Sequence, residues 1–446
     1  MSRSSFATTL AALLLPTLLL AQSPERPRAA WLEALGHGGG DAIDPVAELL
    51  ARIESGEVTL EREPVWGYLR SLLDALDIPL SSQSMVFSRT SLQVDLIAPW
   101  APRAIYFNDD VYVGYVVDGF ALEIAAVDPD GGSVFYTLDQ YEERHADLRR
   151  DDLTCKGCHN GGVTGGVPGV MMRSFLTDRM GYPVTPVEER PTDDRTPMER
   201  RFGGWYVTGT HTLPHAGNTR GTHLAHEIDQ PDRYLAALDM NARGNLLSLD
   251  DSFEPSFYPV EGSDIVALMV LAHQTRVHNL ITIAAKVFGE VRRELALTGA
   301  ATDELVFEAL PEGASDRIDY AVQSLVRSLL FYRAEPIGRV RGTSTFASDF
   351  AEGGPRDAQG RSLRDLSLDG RLFEHPLSFL IHSDAWDALP QLVRERAYTM
   401  ILRILTGGDD TDFPLLDETS RSGILEILQA TKPDFAAFVQ EAELRS

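Results

Sequence analysis

Cysteine occurs twice in 446 residues, and both copies stand in Cys155-Lys-Gly-Cys158-His159. Two thiols at this spacing can add to the two vinyl groups on one edge of a porphyrin, and the adjoining imidazole then reaches the iron as proximal ligand. The pattern predicts one covalently attached haem c, held by Cys155 and Cys158, with His159 on the metal. Three other readings compete for the same residues: a Cys155–Cys158 disulfide, a thioredoxin-like redox pair, and a Cys₂His metal site. A redox pair normally opens a helix directly after a strand in a βαβ unit, and the Gly-rich stretch after His159 does not read that way. No cysteine is left for the second half of a zinc site.

An electron carrier needs a sixth iron ligand, normally Met or His, whereas a haem enzyme leaves that position open or displaceable. Eleven histidines are present. His273 is the leading candidate for the distal ligand. On a helix starting near Ser263 it is flanked by Met269 and Val277 at i±4 and by Val266 and Leu280 at i±7, an apolar stripe with an imidazole at its centre. His278 lies about 140° around the axis, beside Gln274 and Thr282, on a more polar face. His211 and His215 follow Gly203-Gly204-Trp205-Tyr206 in a Gly/Thr-rich loop. Either is a candidate sixth ligand, or an acid/base group above an open iron. Trp205 and Tyr206 are expected to pack on the porphyrin. Met171 and Met172 follow the motif too closely to cross to the opposite face. Met180 and Met198 have the reach but nothing else to recommend them over packing. His223-Leu-Ala-His226-Glu227 has the wrong order for a metalloprotease helix and reads as a solvated face. His37, His145, His375 and His382 have no distinguishing context.

The elements that must position these groups change character along the chain. Residues 41–77 show helical spacing. Residues 93–138 hold short β-branched and aromatic runs (94–97, 104–107, 111–117, 122–127, 134–138) separated by Asn108-Asp109-Asp110, Asp118-Gly119 and the Asp/Gly-rich 128–132, an antiparallel meander. Residues 151–223 are rich in Gly and Pro with little periodicity. Helices are expected at about 263–298, 315–334, 388–406 and 418–430. The fold class is α+β: a small antiparallel β meander, then an irregular haem-binding segment, then a mainly helical C-terminal half. This divides the chain into an α+β region at 22–150, a haem-attachment region at 151–262, and a helical region at 263–446 that packs on the haem.

Residues 1–21 form the remaining piece. One basic residue, Arg3, precedes the apolar run Leu10–Ala21, and no acidic residue appears before Glu25. This is the layout of a secretory signal peptide cut after Ala21, and the apolar run is too short to span a bilayer comfortably. The mature protein is expected to be exported or periplasmic, soluble, and not stably inserted in a membrane. Covalent haem attachment of this kind itself requires export. The net charge of −26 excludes a nucleic-acid binder as the default reading, because phosphate binding needs a basic footprint. It favours a redox partner with a basic docking face.

The pentapeptide resembles the c-type cytochromes over a few tens of residues. More broadly, Cys155–His159, Gly166-Val-Pro-Gly169, Arg201-Phe-Gly-Gly-Trp-Tyr-Val-Thr-Gly-Thr-His211, His273-Gln-Thr-Arg-Val-His-Asn279 and Ala104-Ile-Tyr-Phe-Asn-Asp-Asp-Val-Tyr-Val-Gly114 are similar to a family of exported bacterial cytochrome c-domain proteins. The resemblance implies haem and export, and it names no substrate. Electron transfer through one haem c is the leading function. The chain is longer than a bare carrier needs, which keeps a haem enzyme of peroxidase or oxygenase type in play. A haem-based binding or sensing module is the third reading.

Overall fold

A computed structural model describes residues 43–129, 131–141, 145–239, 244–297, 307, 310–407 and 413–445. The expected signal peptide and His37 lie outside them. The fold is α+β. Helices α1 (Pro45–Glu54) and α2 (Leu69–Ala75) come first. Asp44 caps α1 by accepting from the Val46 and Ala47 N–H groups, and it also accepts from the Tyr136 hydroxyl at 2.6 Å, which ties the helix to the sheet.

Six antiparallel strands follow in simple sequence order: β1 (Ser84–Val86), β2 (Arg103–Phe107), β3 (Val111–Tyr115), β4 (Ala121–Asp128), β5 (Gly132–Asp139) and β6 (Leu148–Arg150). Four of the five expected strands are present. The fifth, at 94–97, is a 3₁₀ turn over Val94–Leu96. Its neighbour Gln93 holds that segment from outside the ladder, donating to the Ala121 carbonyl and accepting from the Phe120 N–H.

The sheet is covered on both faces. Ala104, Tyr106, Val111, Val113, Leu122, Ile124, Val134 and Tyr136 pack with Val46, Leu49, Leu69 and Leu72 of the N-terminal helices. Phe107, Tyr112, Ala125, Val127 and Phe135 point the other way, into a core shared with the C-terminal half. Two-sided burial explains why the strands read as continuous apolar runs rather than strict alternation.

Helix α3 (Asp152–His159) carries the cysteine motif inside the stretch expected to be irregular. The long helix α4 (Ile265–Leu297) covers the second sheet face, and α5 (Glu312–Leu329), α6 (Gln391–Leu405), α7 (Glu418–Thr431) and α8 (Pro433–Arg445) complete the half. Every residue of α4 from Ile265 to Thr282 except Arg276 is buried. A helix buried all round has no single apolar stripe. Among the described residues no helix is long and apolar enough to cross a membrane.

Candidate functional site

Helix α3 forms where a strand ends and a pair of aspartates begins. Asp151 caps it by accepting from the Thr154 N–H, and its own N–H donates to the Phe135 carbonyl of β5. Asp152 accepts from the Phe135 N–H and pairs with Arg150 and with Lys156 one turn on. These bonds fasten α3 to the sheet edge, although none of its residues is buried. Cys155 and Cys158 are i and i+3 on one helix face. Cys155 is half-buried against the core and Cys158 is exposed, and both are free thiols. Around them, Gly157, Gly161 and Gly162 have nothing within 4 Å of where a side chain would start.

The helix does follow a strand, as a redox pair would require, but the rest of that arrangement is missing. The sheet is antiparallel, and neither cysteine stands at the start of α3: they are the fourth and seventh residues of an eight-residue helix, with Cys158 beyond the N-terminal amides that stabilise a thiolate. Burial first, then the carboxylates of Asp151, Glu123 and Asp152, push the Cys155 thiol up to about 11. A thiol held protonated is a poor redox nucleophile.

His159 ends α3, its ring 5.1 Å from that of Phe135. Its Nδ1 lies 2.9 Å from the Gly169 carbonyl oxygen. A carbonyl can only accept, so Nδ1 carries the proton and Nε2 keeps its lone pair. Burial lowers the pKa of the ring and favours this neutral form. The Gly169 N–H donates back to the His159 carbonyl, closing the intervening loop. Helix α4 backs that loop: Asn279 Nδ2 donates to the Val170 carbonyl and Lys286 Nζ to that of Gly166. Gly169 must be glycine for space, since a Cβ there would lie 2.0 Å from Asn279 Oδ1. The two nitrogens of an imidazole look in opposite directions. Nε2 of His159 therefore faces away from Gly169 and from α4 behind it.

The expected distal ligand, His273, lies on α4. Its Nδ1 is 2.7 Å from Asp194 Oδ2, its Nε2 is 2.8 Å from Ser378 Oγ, and its ring stacks on Phe331 at 4.6 Å. Both nitrogens are engaged and the residue is fully buried, so in this arrangement it has no lone pair to offer iron. The apolar stripe was a true signal of burial, but burial here serves a polar network that the sequence does not display.

On the same helix His278 holds the spare nitrogen. Its Nδ1 pairs with the Tyr112 hydroxyl at 2.9 Å, while its buried Nε2 has no partner. Burial lowers its pKa to about 3, which keeps the ring neutral.

His211 is closed as well: Nδ1 donates to the Leu213 carbonyl and Nε2 accepts from the Asn245 N–H. His215 lies beside it with ring centroids 4.3 Å apart and planes tilted by 50°, buried, with neither nitrogen in a well-formed hydrogen bond. Burial, then His211, take the His215 pKa down to about 3. Trp205 and Tyr206 are core residues, donating to the Arg173 and Pro99 carbonyls respectively. Met172 and Met198 are buried in the main core, and His223, His226 and Glu227 are exposed.

Sequence reasoning missed the charged pair near α3. Arg103 Nη1 donates to Glu123 Oε2 at 2.9 Å across the face of the sheet. Glu123 Oε1 accepts from Ser91 and from Gln93. The available signal was two opposite charges on the same sheet face of the two strands that flank β3, with a glycine between them. A second feature without a sequence signal is a cavity of about 250 Å³ between the β2–β3 turn and the C-terminal half, lined by Asp109, Asp110, Arg364, His382 and Asp384.

Among the described residues no group of three or more His, Cys, Asp or Glu side chains is arranged to hold a bare metal ion. Cys155, Cys158 and His159 instead suit a ligand that brings most of its own donors, as a porphyrin does. Comparison with protein-family models, curated proteins and solved structures finds no match.

Proposed function

We propose that this chain is an exported monohaem c-type redox protein that transfers single electrons through one covalently attached haem. The observation that carries the reading is the state of three adjacent side chains: two free thiols on one helix face and an imidazole whose Nδ1 is committed and whose Nε2 is open. A backbone carbonyl on Nδ1 is the outer contact that fixes a metal-binding histidine in the correct tautomer. Each thiol would add across one vinyl double bond, sulfur to one carbon and hydrogen to the other, so attachment consumes no oxidant. Haem c, once bound, supplies a reversible one-electron couple. The chain's own part is to hold His159 through Gly169 and to keep both thiols reduced and accessible. The charge of −26 favours a partner with a basic face, and that association should weaken with salt.

The test is a haem-stained denaturing gel of the exported protein, with oxidised and reduced spectra taken with and without carbon monoxide. A covalent haem band lost in Cys155→Ala/Cys158→Ala is expected, and a band that survives both substitutions would sink the reading. A low-spin spectrum unmoved by carbon monoxide supports the carrier, whereas a high-spin iron that reacts with peroxide hands the site to the enzyme alternative.

A further inference from the structure

Arg103 uses only part of its guanidinium. Its side chain crosses β3 at Gly114, with Cδ 3.6 Å from where a Gly114 Cβ would be, and it reaches Glu123 through Nη1 alone. Arg–carboxylate pairs are commonly bidentate. Here Nε is buried with no acceptor, and Nη2 makes no hydrogen bond although the side chain is only 18 % exposed. Glu123 cannot swing round to take them, because Ser91 and Gln93 hold its other oxygen.

The place of this half-used fork matters. Phe135, which touches His159, is paired with Ala125 of β4, and Glu123 is the next residue of β4 on the same sheet face. Arg103 stands two positions from Ile105 of β2, which is paired with Gly114, itself paired with Glu123. An oriented, partly desolvated cation with donors to spare thus lies beside the attachment helix, on the sheet face that α3 borders.

We propose that the free edge of Arg103 binds a carboxylate, and that this carboxylate is a propionate of the attached haem. The inference rests on the haem reading above. Arg103 is a positioning residue in this scheme: Glu123 fixes the guanidinium, and the guanidinium fixes and neutralises the propionate. A neutralised propionate favours the ferrous state, because an uncompensated negative charge near the iron stabilises ferric iron.

The experiment compares the full exported protein with Arg103→Gln, Arg103→Lys and Glu123→Gln by haem-stained gel, midpoint potential, and the propionate bands of the resonance Raman spectrum. All four should carry the haem band. Arg103→Gln should lower the potential and shift the propionate band. Arg103→Lys should recover part of the potential but not the band, since a point charge cannot reproduce the fork. Glu123→Gln breaks the same ion pair while keeping the guanidinium, so it should not lower the potential. Haem present with potential and band unchanged in Arg103→Gln would overturn the inference. So would Glu123→Gln and Arg103→Gln shifting together, which marks a purely structural ion pair. A wild-type chain without a haem band is a different failure, that of the haem reading itself.

Discussion

His159 and His273 are both gripped through Nδ1, one by a carbonyl and the other by a carboxylate, yet they end in opposite conditions. Helix α3 leaves His159 Nε2 without a hydrogen-bond partner, on a helix with no buried residue. The helical half closes His273 on every side: Asp194 and Ser378 on its nitrogens, Phe331 on one face, and Phe373 edge-on. Phe331 holds its ring there from a left-handed backbone, φ 55°, at the end of α5, a position that usually takes glycine. An aromatic residue tolerates that strain only where the surrounding packing over-determines it. One imidazole keeps a nitrogen without a hydrogen-bond partner, and the other has both nitrogens tied into the architecture.

Exchanging the two roles is the sharpest way to break this contrast. His273→Ala should cost about 3 kcal/mol or more, because it empties a core site and strands two polar partners. Denaturant midpoints would measure the loss, and the haem band and spectrum should not change. A shift to high spin with little loss of stability would reverse the comparison.

Gly169→Ala attacks the open side. The new methyl collides with the Asn279 side-chain amide, which itself holds the loop at Val170, so the shift disturbs the support of the carbonyl that orients His159. About 1–3 kcal/mol of stability should be lost, with a softened iron environment visible by spectroscopy. Unaltered stability and spectrum would mean that Gly169 does not set the histidine.

The smallest effect is expected at the β2–β3 turn, whose cavity is neither closed nor built for attachment. Burial, then the like charges of Asp109 and Asp384, hold the Asp110 carboxyl up to about 7. Its unfolded value is near 4. The native state therefore keeps the extra proton between these values, and stability falls as pH rises through that window. Asp110→Asn should stabilise the protein by roughly 1 kcal/mol at pH 8 and hardly at all at pH 4. Parallel stability–pH curves for the two proteins would refute the assignment.

The candidate attachment motif was the easiest part of this chain to pick out, because it depends on neighbours in sequence. Cys155, Cys158 and His159 announce themselves within five residues. So did the meander, whose turns are marked by Asp, Asn and Gly, and the helices from Ile265 onward. Helix α3 was missed although Asp151 is a good cap, since Gly157 and the glycines after it dominated the local reading. Helix α8 was missed despite Pro433 at its first position. The partners of His273 are 79 and 105 residues away, and no local pattern reports them. Which of His273 and His278 keeps a nitrogen without a partner is hidden for the same reason. On a helix buried all round, face polarity does not say which nitrogen will be left over.

Because α3 buries no residue fully and lends the core only the half-buried Cys155, its opening costs the rest of the molecule little. Sub-global opening of this kind exposes a segment while the bulk of the structure stays intact. On the haem reading proposed above, the thiols and the histidine would then be open to the machinery of attachment after the sheet and α4 have closed, without unfolding the protein. Two thioether links would end that freedom by fastening the helix to a rigid plate. Amide exchange within 153–159 should then pass from among the fastest in the protein to slow, while that of 265–282 stays slow before and after.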